Sequence, residues 1–134
     1  MRNFILIILC LFFANGLMAQ SSTKQEQRKN LVVKEWKRSA DGKSKRYLDH
    51  VTKYDAKGRK AEDVEYNSSG VVTNRCKYEY DENGRVSREL IYEGEKVVRI
   101  RKFEYNADGT KHKQYNYSPN GKLISVKEFE YVRP

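Results

Sequence analysis

From residue 31 onward, apolar residues fall in short alternating runs, and each run ends on a glycine-bearing turn. The runs hold 7 to 11 residues rich in Val, Ile, Tyr, Phe and Thr, which suits half-buried strands. No stretch keeps helical periodicity between helix-favouring caps. The pattern predicts eight antiparallel strands in a meander, near 31–38, 44–54, 59–66, 71–80, 85–92, 96–105, 110–117 and 122–131. The predicted fold class is all-β, one open twisted or partly rolled sheet.

The turns recur with a period. Tyrosines stand at 54, 66, 80, 92, 105, 117 and 131, so every second one marks a unit of 25 or 26 residues. Tyr-Asp/Asn-x-x-Gly occupies 54–58, 66–70, 80–84 and 105–109, and Tyr-Ser-Pro-Asn-Gly occupies 117–121. Asp, Asn or Ser opening such a turn can accept the amide two residues on, and Gly closes it at positive φ. Tyr92-Glu93-Gly94-Glu95 is shorter and suits a two-residue turn. A degenerate half-unit, residues 31–53, carries Trp36 and precedes the three full units.

If each turn closes with its Asp or Asn opposite the residue after Gly, pairing follows by subtraction. Tyr54 opposes Lys60, Tyr66 Val72, Tyr80 Val86, Tyr92 Val97, Tyr105 Lys111 and Tyr117 Leu123. The same register sets Asp63 against Arg75, Lys77 against Glu89 and Arg85 against Glu104, favourable cross-strand pairs. Val98, Ile100, Ile124 and Val126 fall in the other phase, which suggests a bulge or a coiled sheet.

The recurring Tyr-Asp-x-x-Gly joins an aromatic-x-Tyr strand end: Tyr78-Glu79-Tyr80, Phe103-Glu104-Tyr105 and Phe129-Glu130-Tyr131. Over residues 54–131 this resembles the tyrosine-aspartate repeats of RHS-type proteins, and small exported bacterial proteins built from a few such hairpins. The resemblance implies a β-repeat architecture and an association with carbohydrate or surface contacts. It implies no catalytic residues. Three and a half units are too few to form the closed shell of the large members.

The N-terminus changes the setting. Met1-Arg2-Asn3 is followed by an apolar run from Phe4 to Ala14, a break at Asn15-Gly16 and a small residue at Ala19. These are the parts of a secretory signal peptide over residues 1–19. The run is too short to span a bilayer, which needs about 20 residues. Residues 20–30 are polar and read as a flexible leader, and residues 31–134 as a single domain. Export to the periplasm, cell surface or medium of a bacterium is expected. Cys76 alone then remains, and its alternation with Tyr78 and Tyr80 reads as a buried apolar filler rather than a free thiol or intermolecular link.

The 134 residues carry 27 Lys+Arg against 18 Asp+Glu, a net charge of +9. Neither His50 nor His112 has a nucleophile placed to use it, no zinc or phosphate-loop spacing occurs, and the acidic turns lack the oxygen ligands calcium requires. The reading is a non-enzyme without cofactor or metal. The positive balance favours anionic partners. In the subtraction register, Tyr78, Arg88, Arg99, Arg101, Lys111, Lys113, Tyr115 and Lys127 gather on one face. Basic side chains between rings suit polyanions, and export points to an anionic glycan, lipopolysaccharide or an acidic envelope protein rather than nucleic acid. The alternative is a structural protein that pairs, or self-associates, through its edge strands.

Overall fold

The computed structural model describes residues 24–134, so the signal-peptide reading of residues 1–19 lies outside the described residues. Eight strands follow in order: β1 (Val32–Lys37), β2 (Tyr47–Tyr54), β3 (Lys60–Tyr66), β4 (Val72–Tyr80), β5 (Val86–Glu93), β6 (Lys96–Tyr105), β7 (Lys111–Tyr117) and β8 (Leu123–Glu128). Each pairs antiparallel with its neighbours in sequence order, and β1 does not meet β8. The sheet is an open meander. No helix interrupts residues 54–131.

The turn chemistry does what the sequence demands of it. In each four-residue turn the Gly amide bonds the first residue's carbonyl, and the first residue's amide bonds the carbonyl after Gly. Gly58 to Asp55 (3.0 Å) with Asp55 to Arg59 (2.8 Å) is one case, and the turns opening at 67, 81, 106 and 118 repeat it. All six tyrosine pairs derived by subtraction are present, from Tyr54–Lys60 to Tyr117–Leu123.

Beyond those pairs the register departs from expectation by one residue. Six hairpins shift register just before their tyrosine pair and β1–β2 shifts just before Trp36–Leu48, which leaves one residue of each outgoing strand without a partner across that ladder. Those residues are Asp49, Ala61, Thr73, Ser87, Val98, His112 and Ile124. Asp63 therefore opposes Cys76 rather than Arg75, and Lys77 opposes Leu90 rather than Glu89. The expected Arg85–Glu104 pair is also replaced: continuing the Arg88–Lys102 register brings Arg85 level with Tyr105, and its guanidinium lies over that ring (4.8 Å). Each bulge adds local twist, and their repetition explains why Val98 and Ile124 looked out of phase.

Directly opposed residues share a face, and so do alternate residues on one strand. One face carries Asp63, Cys76, Tyr78, Ile91 and Phe103; the other carries Val64, Lys77, Leu90, Ile100 and Tyr115. With a single layer there is little core. Among the described residues only Val51 (7% exposed) and Val64 (2%) are buried apolar side chains. Much of the remaining cohesion is polar and aromatic.

Candidate functional site

The eight residues expected to share a face do not. Tyr78, Arg99, Arg101, Lys111 and Lys127 lie on the Asp63 face. Tyr78 and Arg101 both oppose Glu89, Arg99 opposes Ile91, Lys127 opposes Gln114, and Lys111 sits 4.4 Å from the Phe103 ring centroid. Arg88, Lys113 and Tyr115 lie on the Val64 face, because Arg88 opposes Glu79, Lys113 opposes Glu104, and Tyr115 opposes Lys102. The bulges are the cause: a one-residue slip sends a side chain to the other side of the sheet.

Several of these cations already hold carboxylates. Arg88 makes a two-pronged contact with Glu79 (2.7 and 2.6 Å), Arg101 reaches Glu89 (3.3 Å) and Lys113 reaches Glu128 (3.4 Å). Other cations lie over rings instead. On the Val64 face Lys77 covers Tyr92 (5.2 Å) and Lys102 covers Tyr117 (5.3 Å), the same arrangement one repeat apart. Such contacts attract through the ring quadrupole and keep the charged head at the surface.

A second constellation escaped the sequence reading. The Asp63 carboxylate, 17% exposed, accepts four donors from three strands: His50 Nε2 (2.9 Å), Thr52 Oγ1 (2.9 Å), Lys60 Nζ (2.8 Å) and the Tyr78 hydroxyl (3.2 Å). The other ring nitrogen of His50 reaches Glu35 on β1 (2.9 Å). Burial raises the Asp63 carboxyl, but the bonds from Lys60, Thr52 and His50 and the Lys60 charge outweigh it, and its pKa ends below the ordinary value. Burial, with the charges of Cys76 and Asp63, pushes the Tyr78 hydroxyl up, so Tyr78 acts as a donor here. Only the spacing of Thr52, Asp63 and Tyr78 across three strands could have signalled this cluster, and the missed bulges hid it.

The third feature is a rim, formed where the β2–β3, β4–β5 and β6–β7 turns line one edge of the sheet. Asp55 accepts the amides of Lys57 (2.8 Å) and Arg59 (2.9 Å) and the Arg59 Nε (2.9 Å). Asp81 repeats this with Asn83 and Arg85. Each Arg then stacks on the tyrosine that opens the next unit: Arg59 on Tyr80 (4.3 Å) and Arg85 on Tyr105 (4.8 Å). The hydroxyls of Tyr80, Tyr105 and Tyr131 bond the carbonyls of Lys60, Val86 and Lys111. The signal available was an Arg directly after the turn Gly at 59 and 85, with a Tyr 21 or 20 residues later.

Residues 24–30, read from composition as part of a flexible leader, form a helical turn seated on this rim. The Asn30 amide bonds the Asp55 carbonyl (3.0 Å), Tyr54 bonds Leu31 (2.9 Å) and Gln25 Nε2 bonds Lys57 (2.8 Å). Gly58 makes the approach possible, because a Cβ there would stand 2.0 Å from the Gln25 carbonyl oxygen. Arg28 lies over Tyr54 (5.5 Å), as Arg59 and Arg85 lie over theirs. Between leader and turns runs an open cleft of about 500 Å³ that includes Lys24, Arg28, Arg59 and Asn83.

The fold and these surfaces define a class: an open, one-layer β-meander of hairpin repeats with cation-on-ring stacking along its faces and one rim. No family model matches the chain, and no curated protein matches it. Among solved structures, a point mutant of S. aureus TarM in complex with fondaparinux, alpha-GlcNAc-glycerol and UDP is similar at 14% identity with a TM-score of 0.29. That match covers 85% of this chain, which spans only 22% of the other. Among the described residues no helix is long and apolar enough to cross a membrane.

Proposed function

We propose that this chain is an exported, non-catalytic β-repeat binding module that contacts an anionic glycan, an envelope component or an acidic protein. One observation carries the reading. Lys77 and Lys102 on the Val64 face, and Lys111 on the Asp63 face, lie over the rings of Tyr92, Tyr117 and Phe103, and among the described residues none of the three pairs with a carboxylate. A cation fixed on a ring, its charge uncompensated, suits a repeating anion by charge and stacking together. Lys77 and Lys102 stand two strands and two residues apart, about 12 Å at ordinary strand geometry.

Retention on immobilised heparin tests this. The triple variant K77S/K102S/K111S and the control R88S/R101S/K113S lose the same formal charge, but the control's cations already hold carboxylates. The first should elute at clearly lower salt than the second. Equal loss would reduce the effect to net charge, and unchanged retention would reject the reading.

A second reading is favoured by strand β8. All six of its residues are exposed, with Leu123, Ile124 and Val126 at 46%, 55% and 44%, and its outer edge has no partner strand among the described residues. Such an edge can pair with a second copy. Sedimentation showing concentration-dependent assembly that Val126→Pro, which removes an outward-facing amide, abolishes would support it; a monomer at all concentrations would reject it.

A further inference from the structure

We propose that the cleft between the leader turn and the β2–β3 and β4–β5 turns is a binding site for a monosaccharide bearing a phosphate or sulfate group. The proposal rests on the binding-module reading and gives it a discrete site. Three cations converge there, Lys24, Arg28 and Arg59. Arg59 is held at Nε by Asp55 (2.9 Å) and against Tyr80 by its flat side (4.3 Å), which fixes the guanidinium while, among the described residues, its two terminal nitrogens make no hydrogen bond. Arg28 is likewise laid on Tyr54, and among the described residues neither it nor Lys24 pairs with a carboxylate. A guanidinium fixed before the ligand arrives loses little freedom on binding and presents a fork that matches a tetrahedral anion.

The rest of the lining sets the ligand's body. A volume of about 500 Å³ exceeds what an inorganic anion fills and falls within the range of small-molecule sites. Among the described residues the other walls are the amides of Gln25 and Asn83 and the glycines 58 and 84, with no aliphatic or aromatic side chain. A polyhydroxylated body suits such walls and an acyl chain does not. One wall is the leader itself, seated only because Gly58 lets the Gln25 carbonyl approach. A bound anion bridging Arg28 and Arg59 would therefore also fasten the leader to the sheet.

The test is amide chemical-shift titration of the folded protein with glucose phosphate, glucose sulfate and glucose. Saturable shifts at Arg28, Arg59, Asn83 and Gly84 are expected with the charged sugars and not with glucose. Comparison of the two charged probes identifies the preferred anion. The exposed pair K24S/R28S should weaken binding about tenfold or more while leaving amides of the distant strands in place, and Arg28→Lys should weaken it less. Absence of saturable shifts at about 20 mM of either charged sugar overturns the site. So do shifts of equal size with glucose, or shifts that survive K24S/R28S. If the cleft fails while K77S/K102S/K111S still lowers heparin retention, the site is wrong and the module reading stands; if heparin retention also ignores that variant, both fall.

Discussion

Asp63→Asn tests whether a thin sheet is held by polar hubs rather than by a core. The substitution keeps the shape of the side chain and removes its charge. Asp63 is 17% exposed and accepts four donors at 2.8–3.2 Å. An asparagine has one accepting oxygen, so its amide nitrogen must face at least one of those donors; an unmatched half-buried polar contact costs about 1–3 kcal/mol. The donors that remain paired lose the charge-assisted part of their bonds, about 0.5–1 kcal/mol each. Lys60 is 41% exposed, so its ion pair adds less than about 1 kcal/mol. The expected loss is about 3 kcal/mol, a large share of the 5–15 kcal/mol or so that a domain holds. Urea unfolding followed by Trp36 and tyrosine fluorescence measures it. The folded-state pKa of Asp63 is depressed, so its contribution is present above the unfolded carboxyl value of about 3.9 and is lost as pH falls through the folded value. The gap between wild type and variant should thus be full at neutral pH and shrink in acid. A variant within about 0.5 kcal/mol of wild type at neutral pH, or a gap that persists unchanged in strong acid, would refute the reasoning.

Two glycines with the same φ separate backbone strain from leader docking. Gly84→Ala (φ 75°, open space) should cost about 1–2 kcal/mol, whereas Gly58→Ala (also φ 75°) should cost that and expel the leader from the rim. Limited trypsin cleavage after Arg28 and Lys29 should accelerate only in Gly58→Ala; equal rates would show that the leader does not depend on this contact. Burial, followed by the neighbouring Glu89 charge, raises the Cys76 thiol above its ordinary pKa. Alkylation by iodoacetamide at mildly alkaline pH should be slow in the folded protein and should accelerate on unfolding; fast native alkylation would place the sulfur in an open, activated setting.

What was legible in the sequence lies at the turns. An Asp, Asn or Ser followed three residues later by Gly decides its own hydrogen bonds, so the tyrosine pairs beside the turns could be worked out without any knowledge of the rest of the sheet. The strand interiors were a different problem. The residues skipped by the bulges, Asp49, Ala61, Thr73, Ser87, Val98, His112 and Ile124, share no chemistry. Five of them share only a position, three residues after the turn glycine. Each bulge reverses the facing of everything beyond it, so an inference that carries phase across several strands is exposed to each of them. Grouping Arg88, Lys113 and Tyr115 with Tyr78 and Arg101 needed such phase, and it separated. Gathering Thr52, Asp63 and Tyr78 needed it too, and that cluster went unseen.

The rim is free of this difficulty. Arg59 and Arg85 adjoin their turn glycines, their carboxylate partners lie four residues back, and Tyr80 and Tyr105 open the next turns along the same edge. No strand has to be crossed in phase to place them. In a sheet of bulged hairpins, residues flanking the turns are therefore the ones that can be assembled reliably into a surface from sequence alone. The third unit shows the same logic by its departure. Asn106 and Thr110 stand where Asp and Arg stand in the first two, their side chains bond each other (3.0 Å), and Tyr131 is left 57% exposed. The run of guanidinium-on-ring stacks along the rim accordingly ends at Tyr105, so Arg28, Arg59 and Arg85 are its fixed cations.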